Sequence, residues 1–328
     1  MVDCSYQSKV NVLQGLNLAS ASPFDRAEWF TLLAEALPEA RIAVAVNGKG
    51  TAALPLVERP QRLEPLVNWY AFGWRPLFTP DAEREVLLAD LARMLKTRRS
   101  RVTFWPVPEE DKSASTIESA FQKAGWITRR SVFDTCHVLP VEGRSYADYL
   151  AGRPGRLRTT LKRKAKKLGV EIHRDFNTSV WDTYEEIYSQ SWKPEESDPA
   201  LLRAFAEAEG NAGRIRLGLA CHEGRPIAVQ FWTVESGRAF IHKLAHLPDA
   251  QPLSPGSVLT AALMEHVIDK DRVNVVDFGT GDDPYKRDWM ESTEPRYLID
   301  CHDPAALRSW PYIIRNTAQN LASRFRPS

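Results

Sequence analysis

Residues 275–290 read VVDFGTGDDPYKRDWM, and the fold turns on what this strand-like run leads into. An apolar strand entering an acidic glycine turn opens the Rossmann-like sheet of SAM-dependent methyltransferases. That sheet needs more strand–helix units after the turn, and an acidic residue about 20 positions on to hold the ribose. Only 47 residues follow Gly281, and Pro284-Tyr285-Lys286 interrupts the expected helix start. A kinase Asp-Phe-Gly needs a Gly-rich loop, a paired strand lysine and a complete His-Arg-Asp catalytic loop; the first two are missing, and His173-Arg174-Asp175 has Val180 where that loop needs its Asn. A P-loop needs a glycine-led Lys-Ser or Lys-Thr, also missing. The stretch therefore reads as a late strand, turn and helix.

Working outward, PGSVLTAALMEHVIDK (255–270) has helical period and leads into strand RVNVVDFG (272–279). The first half carries the same succession: DAEREVLLADLARMLKTR (81–98), then RVTFWPV (101–107). The two strands are offset by 171 positions and the two helices by 172. Hairpins precede both pairs. ARIAVAVNGKGTAALPLVER (40–59) turns at Asn47-Gly48; RIRLGLACHEGRPIAVQFW (214–232) turns at Glu223-Gly224, with a third strand after Ser236-Gly237. Helices over 29–37 and 180–192 come before the hairpins. Hairpins mixed with crossover helices predict an α+β fold: two units, each a mixed, mostly antiparallel sheet flanked by helices. The expected boundaries are 1–140 and 141–328. Near the start of the second unit, RPGRLRTTLKRKAKKLG (153–169) is rich in Lys and Arg with no acidic residue. Leu157, Leu161 and Leu168 give it one apolar stripe, so it predicts a basic helix. Its charges either face solvent or collar an anionic ligand.

Composition narrows the rest. Among 328 residues, 43 Lys and Arg stand against 42 Asp and Glu. A balance this close to zero argues against general affinity for nucleic acid or membrane. Cys4, Cys136, Cys221 and Cys301 lie far apart with no Cys-x-x-Cys spacing, which excludes a zinc ribbon and fits a reducing compartment. His242 and His246 have the spacing of a zinc His-Glu-x-x-His motif, but Lys243 follows the first histidine and the segment reads as a strand. No metal is expected. No apolar run approaches the roughly 20 residues of a membrane helix, and a cytoplasmic chain is expected.

Four stretches of the second half, in order, carry a family resemblance. They are HEGRPIAVQFW (222–232), AFIHKLAH (239–246), LSPGSVLTAAL (253–263) and VVDFGTGDDPYKRDWM (275–290). This succession resembles the GNAT-type acyltransferases, specifically the CelD/FemAB-like group of tandem GNAT proteins, over roughly residues 145–300. The first half matches by architecture, as a degenerate GNAT-like unit. The resemblance implies acyl-CoA, acetyl or longer, as co-substrate, with its pyrophosphate on the loop and helix start at Ser254, Gly256 and Ser257. Physically, a helix start offers unpaired N–H groups and partial positive charge to a phosphate. The usual GNAT loop form, Gln/Arg-x-x-Gly-x-Gly/Ala, is not present here.

The resemblance also implies that Tyr285 protonates the leaving thiolate. Asp277, Asp282 or Asp283 would take a proton from the acceptor, with His242 a competing base. Lys286 would steady an anionic group or pair with Asp277. The expected reaction is N- or O-acyl transfer to a small polar molecule or glycan precursor held between the units. Two other readings stay open. One is an aminoacyl-tRNA-dependent transferase of the FemAB kind, motivated by the basic helix. The other is a non-catalytic partner in polysaccharide biosynthesis, for which Tyr285→Phe and Asp277→Asn would leave the cellular phenotype intact.

Overall fold

The computed structural model describes residues 2–281 and 283–314; Asp282, a candidate proton acceptor, lies outside the described residues. Contacts divide the chain into two units: Met1–Thr135 with Glu294–Ser328, in their described parts, and Cys136–Thr293.

The first unit holds β1 (Asp3–Gln7), α1 (Ala27–Glu35), β2 (Ala40–Asn47), β3 (Gly50–Glu58), β4 (Leu63–Pro65), β5 (Leu77–Phe78), α2 (Arg84–Lys96), β6 (Arg101–Val107) and α3 (Ser113–Lys123). It also holds the first part of β7 (Ile127–Pro140). Asn47 closes the β2–β3 turn by accepting the N–H groups of Lys49 and Gly50 on its side-chain oxygen, as an Asx turn does. The sheet runs β1-β2-β3-β4-β6, antiparallel except for the parallel β4–β6 pair.

The second unit holds α4 (Tyr146–Ala151), α5 (Gly155–Lys164), β8 (Gly169–His173), α6 (Thr178–Ser189), α7 (Pro199–Asn211), β9 (Ile215–His222), β10 (Arg225–Glu235), β11 (Arg238–His246), α8 (Pro255–Glu265), β12 (Val275–Thr280) and α9 (Pro284–Trp289). Its sheet runs β8-β9-β10-β11-β12, again antiparallel except for one parallel pair, β11–β12. Order and strand sense repeat those of the first unit. That is the duplication predicted from the 171-residue offset.

The sixth strand of each sheet comes from an unexpected place. In the second unit β12 pairs with Cys136–Pro140, the end of β7, which follows α3 in sequence. In the first unit β6 pairs with β13 (Ser292–His302), which follows α9. Each sheet is thus completed by the strand that follows the last helix of the other repeat. This is why the residues from Glu294 cluster with the first unit, whereas a boundary at 140/141 assigns them to the second.

Local chemistry explains the hairpins of the second unit. Glu223 and Gly224, then Ser236 and Gly237, all have positive φ (50°, 81°, 46° and 75°). Two successive left-handed residues make the turn whose twist matches paired strands. The basic segment forms α5 and a short 3₁₀ turn over Ala165–Lys167, with Leu157 and Leu161 buried in the core and Leu168 packed against it. There they meet Leu259 and Leu263 of α8. Gly218 on β9 lets α8 approach closely: a Cβ would stand 2.9 Å from both Leu259 Cδ1 and Leu263 Cδ1. Helix α7 did not emerge from the hydrophobic pattern, although its start is well marked: Asp198 accepts the N–H of Leu201 and Pro199 is its first residue.

No helix among the described residues is long and apolar enough to cross a membrane. The four cysteines are free thiols, and no cluster of His, Cys, Asp or Glu among the described residues could hold a metal.

Candidate active site

The parallel ladder between β11 and β12 has three pairs and ends at Phe240 opposite Asp277. The strands run on to His246 and Thr280. Beyond the last pair they splay at their carboxyl ends, which is where ligands sit in open α/β sheets. Against β10, the register of β11 slips by one residue: Phe231 faces Lys243, Trp232 faces Ile241, and His242 is the extra residue. A bulge of this kind frees a backbone N–H from the ladder and re-aims side chains.

Helix α8 starts beside this splay. Ser254 adopts a left-handed conformation (φ 52°) as the residue before it, Pro255 is first, and the N–H of Val258 bonds back to the Ser254 carbonyl. The N–H groups of Gly256 and Ser257 therefore belong to the turn that has no helical partners. Gln230, wholly buried on β10, fixes that turn: its amide donates to the Gly256 carbonyl (3.1 Å) and to Thr260 Oγ1 (2.6 Å), and its oxygen accepts from Trp232 Nε1 (2.7 Å). Lys164, at the end of the basic helix, reaches the Pro252 carbonyl (2.9 Å) just ahead of the helix start. Ser254, Gly256 and Ser257 thus lie together, with a cation of α5 close to their loop.

The opening stretch resolves into a turn with assigned parts. Gly279 and Gly281 take positive φ (67° and 91°). Asp277 is 0% exposed; one carboxylate oxygen accepts from Arg238 (2.9 and 3.2 Å) and the other caps the Gly279 N–H (2.8 Å). The buried Lys286 ammonium donates to the Thr280 and Gly279 carbonyls (2.5 and 3.4 Å). Both residues brace the turn. Tyr285 is 43% exposed, its ring tilted over Phe278 of β12 at 6.3 Å. Partial burial and the Asp283 carboxylate push its phenol up to about 12. Asp283 is exposed at the start of α9.

His242 is placed elsewhere. Its ring stacks on Phe231 (4.8 Å), meets Phe205 edge-on (5.4 Å) and shares a 2.8 Å hydrogen bond with Thr233 Oγ1. Burial, then the charge of Lys243, bring it down to about 3. It is neutral at physiological pH and a weak base. Its neighbours Phe231 and Phe205 lie on the α6–α7 face of the sheet, whereas Phe278 and Trp232, beside Tyr285, belong to the core under α8. The structure therefore groups Tyr285 with Asp283, and separates both from His242.

That second face carries residues the sequence reading passed over. A cavity of about 490 Å³ is lined by Trp181, Tyr184, Tyr188, Lys193 and Glu196, among others. Lys243, aimed to this side by the bulge, pairs with Glu196 (2.9 Å) and stands over the Tyr188 ring (5.4 Å). Burial lowers the Lys243 pKa, opposed by Glu196; burial and Glu196 push the Tyr188 phenol up to about 12. Residues 190–198 join this cavity to the α8 start. Lys193 and Glu196 line the cavity, while Trp192 lies against the His246 ring (4.3 Å), itself next to Gly256. The signal available in sequence was a run of Trp, Lys, Pro and Glu (192–196) directly after a helix.

Residues 155–287 match the family model for the acetyltransferase (GNAT) domain. No curated protein matches the chain. Among solved structures, the C-terminal domain of a putative lysylphosphatidylglycerol synthetase from Agrobacterium fabrum is similar at TM-score 0.60 and 14% identity, covering 94% of this chain and 95% of that one. FemX is similar at 0.62 and 9%, covering 90% and 96%. The L-PGS structure from Bacillus licheniformis is similar at 0.58 and 11%, covering 90% and 93%. At such identities the likeness is one of fold.

Proposed function

Starting from a GNAT-type domain at residues 155–287, we propose that the chain is an acyltransferase with acyl-CoA as donor and an amine or hydroxyl acceptor. In this reading the donor pyrophosphate lies on the N–H groups of Gly256 and Ser257, near Lys164 and the rest of α5. The acceptor occupies the cavity under α6 and α7, within the second unit. The observation that carries the proposal is the 190–198 segment, which lines the cavity through Glu196 and, through Trp192, meets the His246 ring that lies beside Gly256 of α8.

The chemistry follows from what is placed where. The acceptor nitrogen or oxygen attacks the thioester carbonyl carbon, forming the new bond as the C–S bond breaks. Backbone N–H freed at the β11 bulge holds the developing oxyanion. Tyr285, protonated throughout the assay range, donates to the departing thiolate and is reprotonated from solvent. Asp277 is committed to Arg238 and the turn and Asp283 is exposed beside Tyr285, so in this reading the acceptor's proton passes to Glu195 or Glu196, which line the cavity. Glu195 and Glu196 suit an acceptor that arrives as an ammonium, with the aromatic rings of the cavity alongside.

Calorimetric titration with acetyl-CoA, a long-chain acyl-CoA and free CoA tests this reading; failure of all three to bind sinks it. Tyr285→Phe is expected to lower kcat about 100-fold with little change in donor KM. Because the phenol is raised to about 12, the parent enzyme loses no activity to its ionisation below about pH 11. An unchanged kcat in Tyr285→Phe would remove the assignment.

The second reading, an aminoacyl-tRNA donor, rests on the basic face of α5 and on the likeness to FemX. Filter binding at stepped salt separates the donors, since tRNA retention falls steeply with ionic strength. No retention at low salt rules the tRNA reading out.

A further inference from the structure

The first unit holds a cavity that the transfer chemistry does not use. It measures about 250 Å³ and is lined by residues that include Arg62, Ser100, Arg101, His302, Arg308 and Tyr312. These come from one end of the sheet: Arg62 directly precedes β4, Arg101 opens β6, and His302 ends the antiparallel β13 opposite Arg101. That is the amino-terminal end of the parallel β4–β6 pair. A splay like that of the second unit would lie at the other end.

The cavity is built around a buried histidine. His302 is 1% exposed, stacked on Tyr312 (5.4 Å), with Nε2 3.1 Å from Asp300 Oδ2. Its Nδ1 has no hydrogen-bond partner among the described residues. A buried ring nitrogen left unmatched is costly, and marks a place where a further polar group belongs. Three guanidinium groups line the same space. Arg101 forms a two-bond pair with Asp300 (2.9 and 3.0 Å) and lies over the Tyr312 ring; Arg62 pairs with Glu64. Arg308 donates to Ser100 Oγ (2.6 Å) and has no carboxylate partner among the described residues. Asp300, partly buried, is held below the usual carboxylate range: burial alone would raise it, and the bonds from His302 and Arg101 outweigh that.

We propose that this cavity binds a phosphate monoester group. Planar, forked donors from several directions match a tetrahedral group with three exposed oxygens better than they match a carboxylate. Arg308 supplies the uncompensated charge. His302 Nδ1 accepts from a P–OH, or donates when the ring is doubly protonated. The site is separate from the donor and acceptor positions of the second unit, so it holds whether or not acyl-CoA is the donor.

The test uses the full chain at low salt, titrated calorimetrically with inorganic phosphate, phenyl phosphate and acetate. Binding of both phosphates, tighter than acetate and weakened by added salt, is expected. Arg308→Ala, at an exposed residue whose loss leaves the core intact, should weaken phenyl phosphate by about tenfold or more while leaving acyl transfer unchanged. A long-range ¹H–¹⁵N spectrum should show the His302 Nδ1 resonance moving as phosphate is added. Sedimentation with phosphatidic-acid vesicles tells a lipid headgroup from a soluble ester. No phosphate binding up to millimolar concentration, or binding that is unchanged in Arg308→Ala, overturns the proposal.

Discussion

Ser257→Asp is expected to move stability and donor affinity in opposite directions. Ser257 is the third residue of α8, where a carboxylate faces the positive end of the helix dipole. Such a placement stabilises a helix by about 0.3–1 kcal/mol, so thermal unfolding should shift slightly upward. The same carboxylate would stand where the donor pyrophosphate is proposed to lie. Like-charge repulsion at close range should weaken acetyl-CoA binding about 10- to 100-fold. Calorimetry beside a melting curve reads both effects on one sample. Undiminished acetyl-CoA affinity would move the phosphate site away from α8, and a melting temperature that falls would show that Ser257 supports the fold in another way.

Asp277→Ala should produce the largest loss of stability. The carboxylate is wholly buried, and its removal deprives Arg238 of a charged partner and the Gly279 N–H of its acceptor. Breaking a buried pair from one side typically costs about 3–5 kcal/mol, a large share of the 5–15 kcal/mol that holds a domain together. Urea unfolding measures it directly. Asp277→Asn should recover part of the loss, because an amide oxygen can still cap Gly279. If Asp277→Asn instead melts like the parent and loses turnover, the residue takes a proton after all and the bracing role is secondary.

Much of the fold was legible because it is written in local chemistry. Asn47-Gly48, Glu223-Gly224 and Ser236-Gly237 announce their turns, and Ser254-Pro255-Gly256 announces a helix start. The leucines at 157 and 161 gave the buried stripe of α5, and Leu168, beyond the helix, packs against the same core. What stayed hidden depends on residues distant in sequence. Lys243 and Glu196 are 47 positions apart, and the one-residue bulge at His242 brings His242 and Lys243 together on the α6–α7 face. Gln230 reads as an ordinary polar residue in an apolar strand until α8 supplies its partners. The strands at 127–140 and 292–302 were not located in the sequence, since alternation marks a strand but not the edge it joins.

The origin of β13 also sets a timetable. A ribosome releases the chain from its amino end at about 5–20 residues per second. The first unit's own segment is finished at Thr135, but the strand that covers β6 ends only at His302. For roughly 8–33 seconds of synthesis at that pace, the nascent first unit carries β6 with one edge unfilled. An open strand edge is a template for foreign pairing. The protein's most vulnerable interval therefore falls before translation ends, and slowing elongation within 141–290 should cost soluble yield more than slowing it elsewhere.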